Sequence, residues 1–155
     1  MKTILVLTVL AAVLAAAVPA AQAHCEVPCG IYDDEMRVKM IQEHITTIEK
    51  AMKQIAALSA ETPANYNQIV RWTVNKEKHA EELQEIVQQY FMTQRIKPAH
   101  GDDGKPAQSY LDQLTVLHMM LVHAMKAKQT TDLDQVETLR ALTDKFGKLY
   151  FAGKK

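Results

Sequence analysis

The sequence of 155 residues lacks several features that would point to common classes of protein. Two cysteines allow one disulfide at most, and no C-x-x-C-H motif is present to attach a haem. The 18 basic and 18 acidic residues balance, so no excess of positive charge attracts nucleic acid or an anionic membrane. No internal repeat is found, and no segment has the alternating pattern of a strand. What remains is an apolar N-terminal segment, a short segment that contains both cysteines, and a series of amphipathic stretches.

The first 23 residues have the pattern of a secretory leader. Lys2 provides a short positive start, and Ile4–Val18 form an apolar run. The tripeptide Ala21-Gln22-Ala23 is an A-x-A cleavage signal. We therefore predict that residues 1–23 are removed as a signal peptide. Residues 24–155 would then be exported, to the periplasm or the extracellular space, without a membrane segment.

An uncleaved membrane anchor is the alternative interpretation of the same segment. The uncharged stretch 3–23 is long enough to cross a bilayer. Its end is rich in alanine and only weakly hydrophobic, which favours cleavage. No twin arginine is present near Met1, so we expect export of the unfolded chain, with any metal bound afterwards.

Four amphipathic stretches follow, and they predict an all-α fold. In the first, apolar residues step by three and four from Val38 to Ile55, as they do on one face of a helix. Asp33 is the expected N-cap of this helix, and Thr131 that of the fourth. Four such helices in one small domain favour an antiparallel four-helix bundle over about residues 34–151. The predicted helices span about 34–59, 64–95, 108–129 and 132–151.

The segment His24-Cys25-Glu26-Val27-Pro28-Cys29-Gly30 directly follows the cleavage signal. Cleavage there would give His24 a free α-amine beside its imidazole, and Cys25 and Cys29 would add two thiolates. A disulfide between the cysteines is the alternative, but its very short loop would stabilise the fold little. We therefore favour metal binding, and we call residues 24–32 the hook.

The donors of the hook favour nickel among the metals that bind nitrogen and sulfur ligands. The terminal amine, the backbone nitrogen of Cys25 and its thiolate can lie in one plane. Cys29 can complete that plane if Pro28 turns the chain back. A planar set of two nitrogens and two sulfurs suits Ni(II), and the imidazole of His24 can bind axially once the metal is oxidised. Such a site predicts one-electron chemistry between Ni(II) and Ni(III).

Residues 24–33 resemble the nickel-binding hook of the nickel superoxide dismutases, H-C-x-x-P-C-G-x-Y, and they fill every fixed position of that motif. Residues 71–77 and 96–100 resemble the second helix of that family and the loop after it. The resemblance implies a four-helix bundle assembled as a homohexamer, with one nickel ion per subunit. It also implies an enzyme that converts superoxide and protons into hydrogen peroxide and oxygen.

The same resemblance assigns roles to residues of the hook. The nickel ligands are His24, through its amine and imidazole, Cys25, through its backbone nitrogen and thiolate, and Cys29, through its thiolate. Tyr32 takes the position of the tyrosine that guards the open face of the metal. Pro28 takes the position of a tight turn.

Further assignments from the resemblance lie outside the hook. Lys97 matches a lysine near the site entrance, where positive charge would steer superoxide. The family holds its axial imidazole with a glutamate on the first helix and an arginine on the second. The arginine position aligns with His79. The glutamate position falls near Lys39 or Met40, and Glu43 is the nearest acid, one turn on.

Two other functions remain open at this point. An exported nickel or copper carrier could use the same hook without turnover, and a structural four-helix protein could use the cysteines as a disulfide. A carrier needs no gating tyrosine, so Tyr32 after the Gly30 turn favours the enzyme. Isolated positions or helix packing account for the other histidines: His44, His100, His118 and His123.

Overall fold

The computed structural model describes residues 28–102, 104 and 107–152, and these form four helices. The leader and the first hook residues, 24–27, lie outside the described part, as does the cleavage site. Helix α1 is Asp34–Ser59, α2 is Tyr66–Glu85 with a π-helical continuation at Ile86–Arg95, α3 is Gln108–Gln129 and α4 is Asp134–Phe151. No strand occurs among the described residues, and the predicted all-α fold is confirmed.

The four helices form a bundle in which neighbours along the chain are neighbours in space. Each helix packs against the next one, and α1 also packs against α4. The start of α1 contacts the end of the second helix through Asp34 and Arg95, so these two helices are antiparallel. Within the described residues, no helix is long and apolar enough to cross a membrane.

The core is built from the predicted apolar stripes. On α1, Ile41, Ile45 and Ile48 are completely buried, at the spacing of one helix face. Phe91 and Phe146 meet edge to face, with ring centroids 4.8 Å apart. Burying one such aliphatic or aromatic side chain contributes about 1.5–3 kcal/mol. The inner stripes therefore supply most of the energy that holds the helices together.

The first three helices begin close to where the sequence predicts. Asp33 caps α1 as expected, because its Oδ1 accepts the backbone N–H of Met36 at 2.9 Å. Helix α2 begins at Tyr66 instead of Ala64. Asn65 takes the N-cap position there and accepts a backbone N–H of the first turn.

The fourth helix begins at Asp134 instead of Asp132, and the prediction that Thr131 caps it is wrong. Leu133 holds the N-cap position without a side-chain hydrogen bond. Before it, the backbone N–H of Asp132 donates to the Thr130 hydroxyl, and that of Asp134 donates to the Asp132 carboxylate, both at 3.0 Å. These local bonds hold the segment in a turn, so the helix starts later.

The end of the second helix has π winding, which the sequence pattern did not predict. The backbone N–H of Ile96 donates to the carbonyl of Phe91 at 2.8 Å, five residues back. Tyr90 and Phe91 are adjacent in the sequence and yet both lie in the core. Both rings therefore belong to the core at the point where the winding changes.

Lys76 explains the polar gap in the predicted stripe of α2. Only 4% of this residue is exposed. Its Nζ donates to the carbonyls of Ala127, Lys128 and Thr130 at 2.9, 2.6 and 2.9 Å. Carbonyls at a helix C-terminus lack helical partners and favour a positive charge. Burial lowers the pKa of Lys76, and the side chain ties α2 to the end of α3.

Candidate functional site

The described part of the hook is the turn that leads into α1. Cys29 has a free and exposed thiol. Gly30 has φ +79°, a left-handed conformation that costs glycine little and other residues more. The motif therefore has glycine where the backbone requires it. His24 and Cys25, the other predicted ligands, lie outside the described residues.

Asp34, the first residue of α1, joins three elements of the bundle. Its carboxylate receives two hydrogen bonds from the Arg95 guanidinium, at 2.7 and 2.8 Å. The hydroxyls of Tyr90 and Tyr150 donate to the same carboxylate at 2.8 and 2.9 Å. Burial, followed by the hydrogen bond to Asp34, raises the pKa of Tyr90 to about 12. The start of α1, next to the hook, is thus fixed to the π segment and to α4.

Tyr32 is held against this network by its ring. The Arg95 guanidinium lies over the ring, with Cζ 4.1 Å from the centroid, and the Tyr90 ring meets it edge to face at 5.9 Å. The residue keeps 39% of its surface exposed. One side of Tyr32 is therefore fixed by packing, while the other faces solvent three residues after Cys29.

A groove of about 350 Å³ opens between α1 and α2 beside the hook. Pro28 of the hook lines it, together with Met40 and His44 of α1 and Glu82 of α2. The hook thus enters the described part of the chain at a cleft that contains ionisable side chains.

Two histidines and a glutamate meet at this cleft. The Nδ1 atoms of His44 and His79 are 2.8 Å apart, and each lies 3.5 Å from Oε2 of Glu82. Burial lowers the pKa of His44; the charge of Glu82 opposes this change, and His79 adds to it. The interpretation of His44 as an isolated histidine is therefore wrong.

The structure brings His79 into this cluster and leaves two other predicted residues outside it. Glu43 is exposed and lines a different surface of α1, together with Lys39. Lys97 is exposed in the segment after the π helix. The acid that contacts His79 is Glu82. The resemblance to the family gave no reason to expect Glu82 in this position.

Sequence reasoning missed His44 and Glu82 for different reasons. The spacing of His79 and Glu82, three residues apart on one helix, was a local signal that they share a face. No local signal connects His44 to them, because it lies on another helix. That contact depends on how α1 and α2 pack.

The described hook residues fit a nickel ion in their chemistry. A free thiol such as that of Cys29 becomes a soft thiolate ligand when it is deprotonated. Since the side chain is exposed, a metal ion can reach it. The remaining donors would come from His24 and Cys25.

Comparisons with known proteins agree with this assignment. No curated protein sequence matches the chain. A crystal structure of a NiSOD point mutant has a similar fold, with a TM-score of 0.64 and 19% identity, over 84% of this chain and 98% of that one. The family model for nickel-containing superoxide dismutase matches residues 19–154. Because that match includes the hook and all four helices, the chain belongs to the nickel-containing superoxide dismutase family, with nickel as its cofactor and superoxide as its substrate.

Proposed function

We propose that this enzyme is exported by its leader and disproportionates superoxide at a nickel ion held by the hook. The observation that carries the proposal is the complete hook motif directly after a cleavage signal, in a chain of this family. Bound nickel supplies a one-electron redox centre that alternates between Ni(II) and Ni(III). The carrier function is disfavoured, because the family is one of enzymes.

The proposed ligands are the amine and imidazole of His24, the backbone nitrogen and thiolate of Cys25, and the thiolate of Cys29. Anionic sulfur and nitrogen donors stabilise the more oxidised metal and lower its potential. The amine of His24 becomes a donor only after the leader is removed. Processing and activity are therefore linked. Pro28 would provide the turn that brings Cys29 back toward the other ligands of the hook.

Tyr32 and Lys97 are proposed to control the approach of superoxide. The Tyr32 ring is fixed on one side by Arg95 and Tyr90, so its free side can restrict access to the hook. Its hydroxyl can order a water or peroxide molecule beside the metal. Lys97 is exposed, and its positive charge would attract the superoxide anion.

His79 is proposed to support the imidazole of His24. Pro28 is four positions after His24, a span of at most about 14 Å, and Pro28 lines the same groove as His44. Glu43 is less suited to this role, because it lines another surface. Glu82 would then be the acid that orients the histidine pair.

The homohexamer implied by the family resemblance is also part of the proposal. One feature of the monomer supports assembly: Tyr66, Val70 and Val74 form an exposed stripe with four-residue spacing along α2. Val70 and Val74 are large apolar residues, each about 60% exposed. Contiguous apolar surface of this kind is common at subunit interfaces.

Two matched proteins test the hook. The first is residues 24–155 beginning at His24, and the second carries one additional alanine before His24. Both are loaded with nickel, and superoxide disproportionation is measured. We expect activity in the first only, since the addition converts the amine into an amide. Equal activity in both proteins would refute the terminal amine as a ligand.

A further inference from the structure

We propose that His44, His79 and Glu82 form a second metal site, which binds a divalent transition-metal ion of the zinc type independently of the hook. The three residues are the one group of potential metal ligands of this kind among the described residues. The site lies between α1 and α2: His44 and Glu82 line the groove described above, and His79 contacts both of them. It is distinct from the hook in its donors, which are two imidazole nitrogens and a carboxylate oxygen.

The distances between the donors match the size of a metal ion. The nitrogens are 2.8 Å apart, and each is 3.5 Å from the carboxylate oxygen. An ion in the plane of the three atoms, equidistant from them, would lie about 1.9 Å from each, and a shift of about 0.7 Å out of that plane gives the ~2.05 Å bonds that zinc makes to nitrogen and oxygen. In a tetrahedral zinc site the two nitrogens would be about 3.3 Å apart, so the rings need to separate by about 0.5 Å, and a fourth position then remains open to water.

The chemistry of the donors is that of a three-ligand zinc site. Two histidines and one glutamate are an established set for zinc, with a fourth position for water. A hydrogen bond between the two Nδ1 atoms requires one neutral ring to carry its proton on Nδ1 and the other to carry its proton on Nε2. When the first ring changes to its Nε2–H tautomer, both Nδ1 lone pairs become free for an ion. The Nε2–H groups then remain as donors, so metal binding is compatible with support of His24.

The surroundings of the site also favour a cation. His44 is 12% and His79 26% exposed at the side chain, so helix packing holds both rings in place. Lys78 approaches Glu82 through the other carboxylate oxygen, Oε1, and leaves Oε2 facing the histidines. Glu85 lines the same groove and adds negative charge, while Arg37 is the positive group there.

Zinc binding by a hook-free variant tests this site. His24→Ala, Cys25→Ser and Cys29→Ser remove the side-chain ligands of the hook from residues 24–155. The amount of Zn²⁺ retained is measured by mass spectrometry of the metal after dialysis, and the affinity by competition with a chelator. We expect one equivalent of Zn²⁺ per chain. His44→Ala and His79→Asn should each weaken binding at least about 100-fold, and Glu82→Gln about tenfold.

The matched control is His118→Ala, which removes an exposed histidine of α3 outside the cluster. It should leave the affinity for Zn²⁺ unchanged. Cu²⁺ bound to the hook-free variant should show coupling to two imidazole nitrogens in its electron paramagnetic resonance spectrum. Absence of bound zinc in the hook-free variant would overturn the proposal, and so would equal affinities in the His79→Asn and His118→Ala variants. Circular dichroism confirms that each variant is folded. The result is independent of the superoxide assay, since every variant in this experiment lacks the side-chain ligands of the hook.

Discussion

Tyr32 is the residue at which the fold and the proposed chemistry meet. Its ring is fixed between Arg95 and Tyr90, which belong to the π segment of the second helix. The ring can therefore keep one position even though much of it faces solvent. Its packing depends on the aromatic ring, whereas any contact with substrate or water depends on the hydroxyl. The two contributions can be separated by one substitution.

Tyr32→Phe should retain the full nickel content and lose only part of the activity, at most about tenfold, which corresponds to about 1.4 kcal/mol in the barrier. The substitution keeps the ring contacts and removes the hydroxyl. Bound nickel and the rate of superoxide disproportionation are measured in parallel. Tyr110→Phe, at a partly buried tyrosine of α3, is the control. Loss of nickel from Tyr32→Phe would contradict a gating role.

The stabilisation that comes from the raised pKa of Tyr90 should be lost at alkaline pH. An unfolded tyrosine loses its proton near pH 10, while the pKa of Tyr90 in the fold is about 12. The stabilisation is thus complete below pH 10 and is lost as the pH rises from 10 to 12, because only the unfolded state releases the proton in that interval.

Urea unfolding at several pH values between 9 and 12 measures this effect. Tyr90→Phe should reduce the decline in the free energy of unfolding over that interval, while Tyr66→Phe should follow the parent protein. If the free energy of unfolding falls equally in the parent protein and in Tyr90→Phe, the raised pKa of Tyr90 is not the cause of the decline.

At the scale of elements, the start of α1 is fixed by contacts between parts of the chain that are far apart. Asp34 receives hydrogen bonds from the π segment and from α4, through Arg95, Tyr90 and Tyr150. The hook directly precedes this point. Its attachment to the bundle therefore depends on a carboxylate that is largely buried.

Asp34→Asn should lower the free energy of unfolding by about 2–3 kcal/mol, since it leaves a partly buried Arg95 without its charged partner. Glu49→Gln is the control, because Glu49 pairs with Arg140 on a more exposed surface and should cost less than about 1 kcal/mol. Both values come from denaturant unfolding. If both variants lose the same free energy of unfolding, the Asp34 network stabilises the fold no more than a surface ion pair does.

At the scale of the whole molecule, the proposal concerns assembly of the chain into a hexamer. The monomer presents an apolar stripe on α2, and the hook lies at an exposed end of the described part of the chain. Enclosure of hooks between subunits would protect the metal centre from solvent. This gives a physical reason for the proposed hexamer.

Light scattering on the processed protein should give six times the mass of one chain. Val74→Lys should reduce the assembly to smaller species, because a charge would then lie in the apolar stripe. Met125→Lys, at an exposed methionine of α3, should leave the hexamer intact. A monomeric parent protein would contradict the hexamer, and an intact Val74→Lys hexamer would place the interface elsewhere.

The sequence alone determined the local features of this protein. The apolar stripes predicted all four helices, and Asp33 was correctly predicted to cap α1, because helix periodicity and capping depend on residues within a few positions of one another. The hook motif led to the family for the same reason, since its donors lie within one short segment.

Only the tertiary structure decided which distant residues meet. His44 and His79 are 35 residues apart in the chain, and Lys76 bonds to carbonyls at the end of another helix. The π winding at the end of the second helix, where Tyr90 and Phe91 are buried, was likewise not evident from the sequence pattern. Such contacts follow from the rotation and register of helices against each other. The pattern along one helix selects its buried face but not the residue that each side chain finds on the next helix.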